Sequence, residues 1–158
     1  MLGSTQTALA DPVSSASLEF CLRLARAYAV LTRRLDNALG SLHGLSFSDF
    51  MVLYHLHRAT GDRLRRIDLA ERLGLTASGV TRTLLPLEKL GLVGRQPDPR
   101  DARVGYAVLT KAGRQLLENA SISAESISQE ATHMMASDKI DNFSVLLGQL
   151  AGINLSNA

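Results

Sequence analysis

The chain has no tryptophan, one cysteine and four prolines among its 158 residues. A single cysteine excludes an intrachain disulfide framework and fits a reducing cytoplasm, the compartment expected here. With only three tyrosines and four phenylalanines, the 46% hydrophobic content must build a mostly aliphatic core. No apolar run approaches the ~18 residues of a membrane span, so no membrane partner is expected. The opening stretch MLGSTQTALADPVSSAS has no positive charge before its weakly apolar centre and no signal-peptide h-region. Residues 1–16 therefore read as a disordered tail. Metal-ligand spacing is also missing. His43, His55, His57 and His133 are scattered, and His55 and His57 fall on different faces of a helix. No nucleophile elbow or related motif gathers Ser, His and Asp, so neither an enzyme nor a cofactor is expected. The length suits one domain or one intertwined unit.

What is present is charge in the wrong proportions for an even surface. From Arg58 to Arg114 there are 12 Lys/Arg against 6 Asp/Glu. Residues 1–57 balance at 4 against 4, and residues 115–158 carry 1 against 5. The formal +2 of the whole chain hides a basic middle and an acidic tail. Of the 17 cations 14 are arginine, whose planar fork matches phosphate and guanine edges.

The basic middle has a readable architecture. Ile67, Ala70 and Leu73 recur at helical spacing, and Gly74 offers a cheap positive φ at which that helix can stop. Thr76 is a good N-cap for a second helix with Val80, Leu84, Leu87 and Leu90 as its apolar stripe. Helix, glycine turn, helix is the helix-turn-helix arrangement, whose second helix can lie in a DNA major groove. Two β-favouring runs follow, Leu92-Val93 and Val104 to Leu109, with the loop QPDPRDA between them. A hairpin directly after the second helix makes a winged helix. Leu64, between arginines, is placed to add a third strand.

These residues resemble the MarR family of bacterial transcription regulators. The pattern is Leu69-Ala70 in the first helix and Val80-Thr81-Arg82 in the second. Leu-Glu-x-x-Gly-Leu-Val follows from Leu87 to Val93, then Asp-x-Arg at Asp101 and Arg103, and Leu-Thr-x-x-Gly from Leu109 to Gly113. The resemblance spans roughly residues 18–152 and is specific between 67 and 113. It implies a two-fold dimer that binds double-stranded DNA at a pseudo-palindromic operator, as a repressor released by a small-molecule effector or an oxidant. It also implies that Asp101 braces Arg103 as that arginine enters the minor groove.

The flanks agree by pattern. Leu18 to Leu39 reads as an amphipathic helix with Leu18, Cys21, Leu22, Ala25, Tyr28, Ala29, Leu35 and Leu39 on one stripe, ended by Gly40 to Gly44. Ser46 and Asp49 resemble a capping box for a helix carrying Phe50, Leu53 and Tyr54 and ending near Gly61. Thr110 caps a helix to about Met135 with Leu117, Ala120, Ala124, Ile127, Ala131 and Met134 at helical spacing. Asp138 caps a last helix whose Ile140, Phe143, Leu146, Leu147 and Leu150 are expected to be buried. A small winged lobe offers too little apolar surface to cover both terminal helices, so a second copy of the chain is expected to pair with them. The fold expected is mainly α, as α+β: a winged helix-turn-helix lobe with a three-stranded wing sheet over residues 43–113. Dimerisation helices flank it at 17–42 and 114–155, all within one domain over 17–158.

DNA reading falls to the start of the second helix, where Thr76, Ser78, Thr81 and Arg82 can reach phosphates or base edges. Arg100 and Arg103 serve the wing, where the resemblance has Asp101 brace Arg103. Gly79 lowers helix propensity, which close approach of backbone to DNA would justify, and Pro86 in the helix interior should kink it. Cys21 is a candidate sensor, because the resemblance includes peroxide-sensing regulators with a reactive cysteine near the start of the first helix. Those follow it with an aromatic residue and a nearby tyrosine, whereas here Leu22-Arg23-Leu24 follows, and a small hydrophobe on a buried face is the plainer reading. The alternative to a DNA-binding regulator is a winged-helix module that docks protein. Segregated positive charge and Asp-x-Arg in the wing favour DNA.

Overall fold

The computed structural model describes residues 13–152. The tail expected over 1–16 lies mostly outside the described residues, and Ala16 is already helical. The described chain divides into two units, one up to Arg33 and one from Arg34 onward.

Helix α1 (Ala16–His43) continues through Gly40, where a stop was expected, and ends where Gly44 takes φ +67°. In the first unit its apolar stripe stays at the surface. Leu22 and Tyr28 are more than half exposed, as is Phe20 off the stripe, and Cys21 is exposed rather than on a buried face. In the second unit Leu35 and Leu39 of the same helix are buried.

Helix α2 (Phe47–Arg58) begins with the expected box: Asp49 N–H donates to Ser46 Oγ, and Ser46 N–H donates to the Asp49 carboxylate, both at 3.0 Å. Its Phe50, Val52, Leu53 and Leu56 enter the core, while Tyr54 does not. The helix stops before Gly61, because residues Thr60–Asp62 tighten into a 3-10 turn with positive φ at Gly61 and Asp62.

Strand β1 (Arg63–Arg65) leads into α3 (Arg66–Leu73), which ends at Gly74 with φ +64°. The buried face of α3 is Leu69 and Ala70; Ile67, expected on it, is 74% exposed. Two residues turn a helix by about 200°, so Ile67 and Leu69 cannot share a face. Helix α4 (Ala77–Lys89) buries Val80, Leu84 and Leu87. Leu90, expected to continue that stripe, is 68% exposed, because it lies past the helix end and Leu92 takes the buried place after the Gly91 turn. Pro86 does not interrupt α4. It lies on the exposed side, where solvent can satisfy the Arg82 carbonyl that loses its helical donor.

Strands β2 (Val93–Asp98) and β3 (Asp101–Leu109) complete an antiparallel sheet of order β1-β3-β2, with Leu64 of β1 opposite Ala107 of β3. Three strands were expected, and three form. Helix α5 (Lys111–Thr132) is capped by Thr110, whose Oγ1 accepts the Gly113 N–H at 3.0 Å. That hydroxyl also donates toward the carbonyls of Gly91 and Leu92. Gly113 is buried against this corner: a Cβ there would collide with the Leu92 carbonyl oxygen and reach 2.8 Å from Leu109 Cδ1. Leu117, Ala120 and Ala124 of α5 are buried, whereas Ala131 and Met134 are exposed.

Helix α6 (Ser137–Leu150) follows. Its N-cap is Ala136 without a side-chain bond, and Asp138, the expected cap, sits inside the first turn, where its charge suits the helix dipole. None of its residues is buried within one chain; Phe143, Leu146, Leu147 and Leu150 all lie open, and the burial expected of them calls for a second copy. Among the described residues, no helix is long and apolar enough to cross a membrane.

Candidate nucleic-acid interface

Helix α4 has three sides. Val80, Leu84 and Leu87 face the core, so the 100° step per residue places Ser78, Arg82, Leu85 and Lys89 opposite, and all four are exposed. Arg82 makes no ion pair among the described residues, leaving its guanidinium available. Thr76 works as the N-cap, its Oγ1 accepting the Gly79 N–H at 3.2 Å, and it also lies 3.3 Å from Ser78 Oγ. Thr81 lies on the flank. Its hydroxyl donates to the Ala77 carbonyl at 3.2 Å and accepts from Arg66 Nη1 at 3.3 Å. Of the four candidates on this helix, Ser78 and Arg82 point outward while Thr76 and Thr81 are engaged within the protein. Gly79 also has an internal reason to be glycine, since a Cβ would come within 3.3 Å of Thr76 Oγ1 and 3.5 Å of Leu75 Cβ.

The wing is tighter than its sequence suggests. The proline-rich stretch expected as a loop is mostly strand, and only Pro99 and Arg100 form the turn between β2 and β3. Two features allow this. Strand β2 is an edge strand, where Pro97 forfeits no ladder bond that matters, and a register shift at Pro97/Asp98 re-aims the chain. Asp98 then pins the turn from inside. It is 7% exposed, and its Oδ1 accepts the Arg100 N–H at 2.8 Å. Its Oδ2 accepts the Tyr106 hydroxyl at 3.4 Å and lies 3.6 Å from Arg65 Nη2. Arg100 thus sits in the two-residue turn at the tip with its side chain outward. Arg103 is one step along β3, its Nε 3.2 Å from Asp101 Oδ1 and its side chain 92% exposed.

Sequence reasoning missed several charged residues around these two elements. Arg63 and Arg65 lie on one face of β1, their guanidiniums 4.8 and 6.0 Å from the centre of the Tyr106 ring. The Tyr106 hydroxyl hydrogen bond, with Asp98 nearby, raises the Arg65 pKa above the ordinary arginine value. Glu88 accepts from Arg66 of α3 at 3.1 Å and from Arg95 Nε of β2 at 2.9 and 3.0 Å. The hydrogen bond to Glu88 raises the Arg95 pKa in the same way. The alternation Arg-Leu-Arg over a short strand was the available signal for the first pair. For Glu88 there was none, because its partners lie 22 and 7 residues away. The described residues contain no group of three or more His, Cys, Asp or Glu that could hold a metal ion.

A helix-turn-helix with an outward basic face, followed by an arginine-tipped hairpin, defines a winged-helix nucleic-acid-binding protein. Comparison with known proteins narrows this. A model of the MarR family matches residues 43–104. The HTH-type transcriptional regulator YdgJ of Bacillus subtilis (strain 168) is 30% identical over 116 residues, which are 72% of this chain and 68% of YdgJ. The chain belongs to the MarR family of DNA-binding transcriptional regulators. Its fold matches Sco3205 of Streptomyces coelicolor, solved in complex with DNA, at a TM-score of 0.79 and 24% identity, covering 87% of this chain and 91% of that one. CouR of Rhodococcus jostii RHA1, solved with p-coumaroyl-CoA bound, matches at 0.77 and 20% identity, covering 87% and 95%.

Proposed function

We propose that two copies of this chain pair through their terminal helices and bind a pseudo-palindromic operator in the cytoplasm as a repressor, without catalytic activity. The observation that carries the DNA geometry is the pair of outward cationic elements in one lobe: Ser78 and Arg82 on α4, and Arg100 and Arg103 on the wing. In this reading α4 enters the major groove, with Thr76 and Thr81 beside it, and the wing reaches the adjacent minor groove with Arg103 braced by Asp101. The dimer rests on α6, whose apolar side chains find no cover in a single chain. Release by a small ligand is supported by the fold it shares with CouR, which was solved with p-coumaroyl-CoA bound. Oxidation at Cys21 is the disfavoured alternative: the thiol is exposed on the single chain, but Leu22-Arg23-Leu24 does not supply the aromatic residue that follows the cysteine in the sensing pattern.

The test is a footprint on the DNA upstream of the chain's own coding sequence. Two-fold symmetry requires protected half-sites centred about 10 bp apart. Affinity should fall steeply with salt, because phosphate contacts release counterions. Absence of protection, or binding indifferent to salt, would sink the reading.

A further inference from the structure

A major groove and the minor groove next to it are separated by one sugar–phosphate strand. If α4 occupies the first and the wing the second, that strand must pass over the seam between helix and wing. This step rests on the DNA-binding geometry just proposed. The side chains at that seam therefore face a row of phosphates, whatever the base sequence.

The seam is occupied by a three-residue charge cluster. Glu88, at the end of α4 nearer the wing, is mostly buried, with 16% of its side chain exposed. It accepts from Arg66 Nη2 at 3.1 Å and takes Arg95 Nε on both carboxylate oxygens. Arg66 is fixed at a second point as well, its Nη1 donating to Thr81 Oγ1. Thr81 and Glu88 are seven residues apart, two turns along the same flank of α4, so the Arg66 guanidinium is laid along that flank. It comes from the first turn of α3, whereas Arg95 comes from β2 of the wing. One carboxylate between two guanidiniums leaves the cluster with a net positive charge.

Neither arginine is used up by these bonds. A guanidinium has five N–H donors. Arg66 commits one on each terminal nitrogen, and Arg95 commits its Nε–H, so both keep donors beyond the protein contacts. Their side chains remain 28% and 57% exposed. A surface arginine would lose rotamer freedom on meeting DNA, whereas these two are already held.

We propose that Arg66 and Arg95 are phosphate ligands at the seam between recognition helix and wing, and that Glu88 is the residue that positions both. Simple electrostatics makes Glu88 unfavourable to DNA. Positioning makes it favourable, because its loss frees two long side chains.

The experiment titrates a random-sequence duplex of about 30 bp, since phosphate contacts need no operator, at a series of salt concentrations. Arg66→Gln and Arg95→Gln should each lower the slope of log affinity against log salt by about 0.9, the value for one phosphate. Arg66→Lys should keep the slope, because it keeps the charge. Glu88→Gln should weaken binding, although it removes a negative charge. Thermal melting accompanies each titration, so a purely structural pair is recognisable: the melting temperature falls while the salt slope of the folded variant stays at the wild-type value. That result would overturn the proposal, as would tighter binding by Glu88→Gln. Absence of salt-dependent binding by the wild type would instead bring down the DNA geometry and this assignment with it.

Discussion

Arg103 is tied twice to the same oxygen of Asp101: its backbone N–H donates to Oδ1 at 3.0 Å and its Nε donates to that oxygen at 3.2 Å. A five-donor fork on a flexible stem is thereby aimed by a carboxylate two residues upstream, with its terminal nitrogens left toward solvent. Arg103→Ala should weaken operator binding by about 1–3 kcal/mol and soften preference for A·T pairs outside the half-site core. Asp101→Ala should do part of the same damage while making the wing more positive. Paired titrations at one salt concentration decide this. Tighter binding by Asp101→Ala would show the wing to be only a diffuse positive patch.

Assembly can be tested without removing a helix. Phe143 and Leu147 are four residues apart on α6, both about half exposed. The wild type should sediment at about twice its 17.0 kDa at micromolar concentration. The double substitution Phe143→Glu with Leu147→Glu should shift the equilibrium to single chains and lower the melting temperature, since an obligate dimer's stability depends on its concentration. A wild type that sediments as a stable single chain would refute pairing.

Gly113→Ala opposes two effects. Alanine is favoured over glycine in a helix interior by about 0.8–1.0 kcal/mol. Here the new methyl meets the Leu92 carbonyl oxygen, and overpacking of this kind costs about 1–3 kcal/mol. The collision involves backbone that cannot rotate away, so the variant should melt below the wild type. A rise in melting temperature would mean that α5 and the start of β2 are less tightly apposed.

Burial, with the Arg72 charge nearby, pushes the His55 pKa below its ordinary value of 6.5. The imidazole therefore takes up a proton more readily in the unfolded chain than in the folded one. Its contribution to stability is full above pH 6.5 and falls as the pH drops through the folded-state value. Melting curves from pH 7.5 to pH 5.5 should fall less steeply for His55→Gln than for wild type. Parallel curves would remove His55 from the pH dependence.

Peroxide should affect DNA binding by wild type and by Cys21→Ser alike. Each chain has one cysteine, so no second thiol of the same chain can resolve a sulfenic acid, and Leu22-Arg23-Leu24 lacks the aromatic surroundings of the sensing pattern. Release of DNA from wild type alone would make Cys21 the sensor.

The helix-turn-helix was legible because its signals are local: glycine at Gly74, a hydroxyl cap at Thr76, and apolar residues at Val80, Leu84 and Leu87 within one helix. The Ser46–Asp49 box was legible for the same reason. What misled was extrapolation past an element's end, as at Leu90, and reading Pro97 as part of a loop when an edge strand tolerates proline. Glu88 was invisible because its two arginines lie on another helix and a strand, and Asp98 because, beyond its local bond to the Arg100 N–H, its partners Tyr106 and Arg65 reach it only through the sheet register. The burial expected of α6 was an inference about a covering partner, which a single chain cannot display.

The Thr110 hydroxyl joins three ends of chain: it caps α5 and bonds to the carbonyls of Gly91 and Leu92, where the wing begins, while its own residue directly follows β3, where the wing finishes. With Gly113 packed against the same corner, a tilt of α5 would press its backbone onto the Leu92 carbonyl. Helix and hairpin base should therefore move together, and any such rotation would be largest at the tip that carries Arg100.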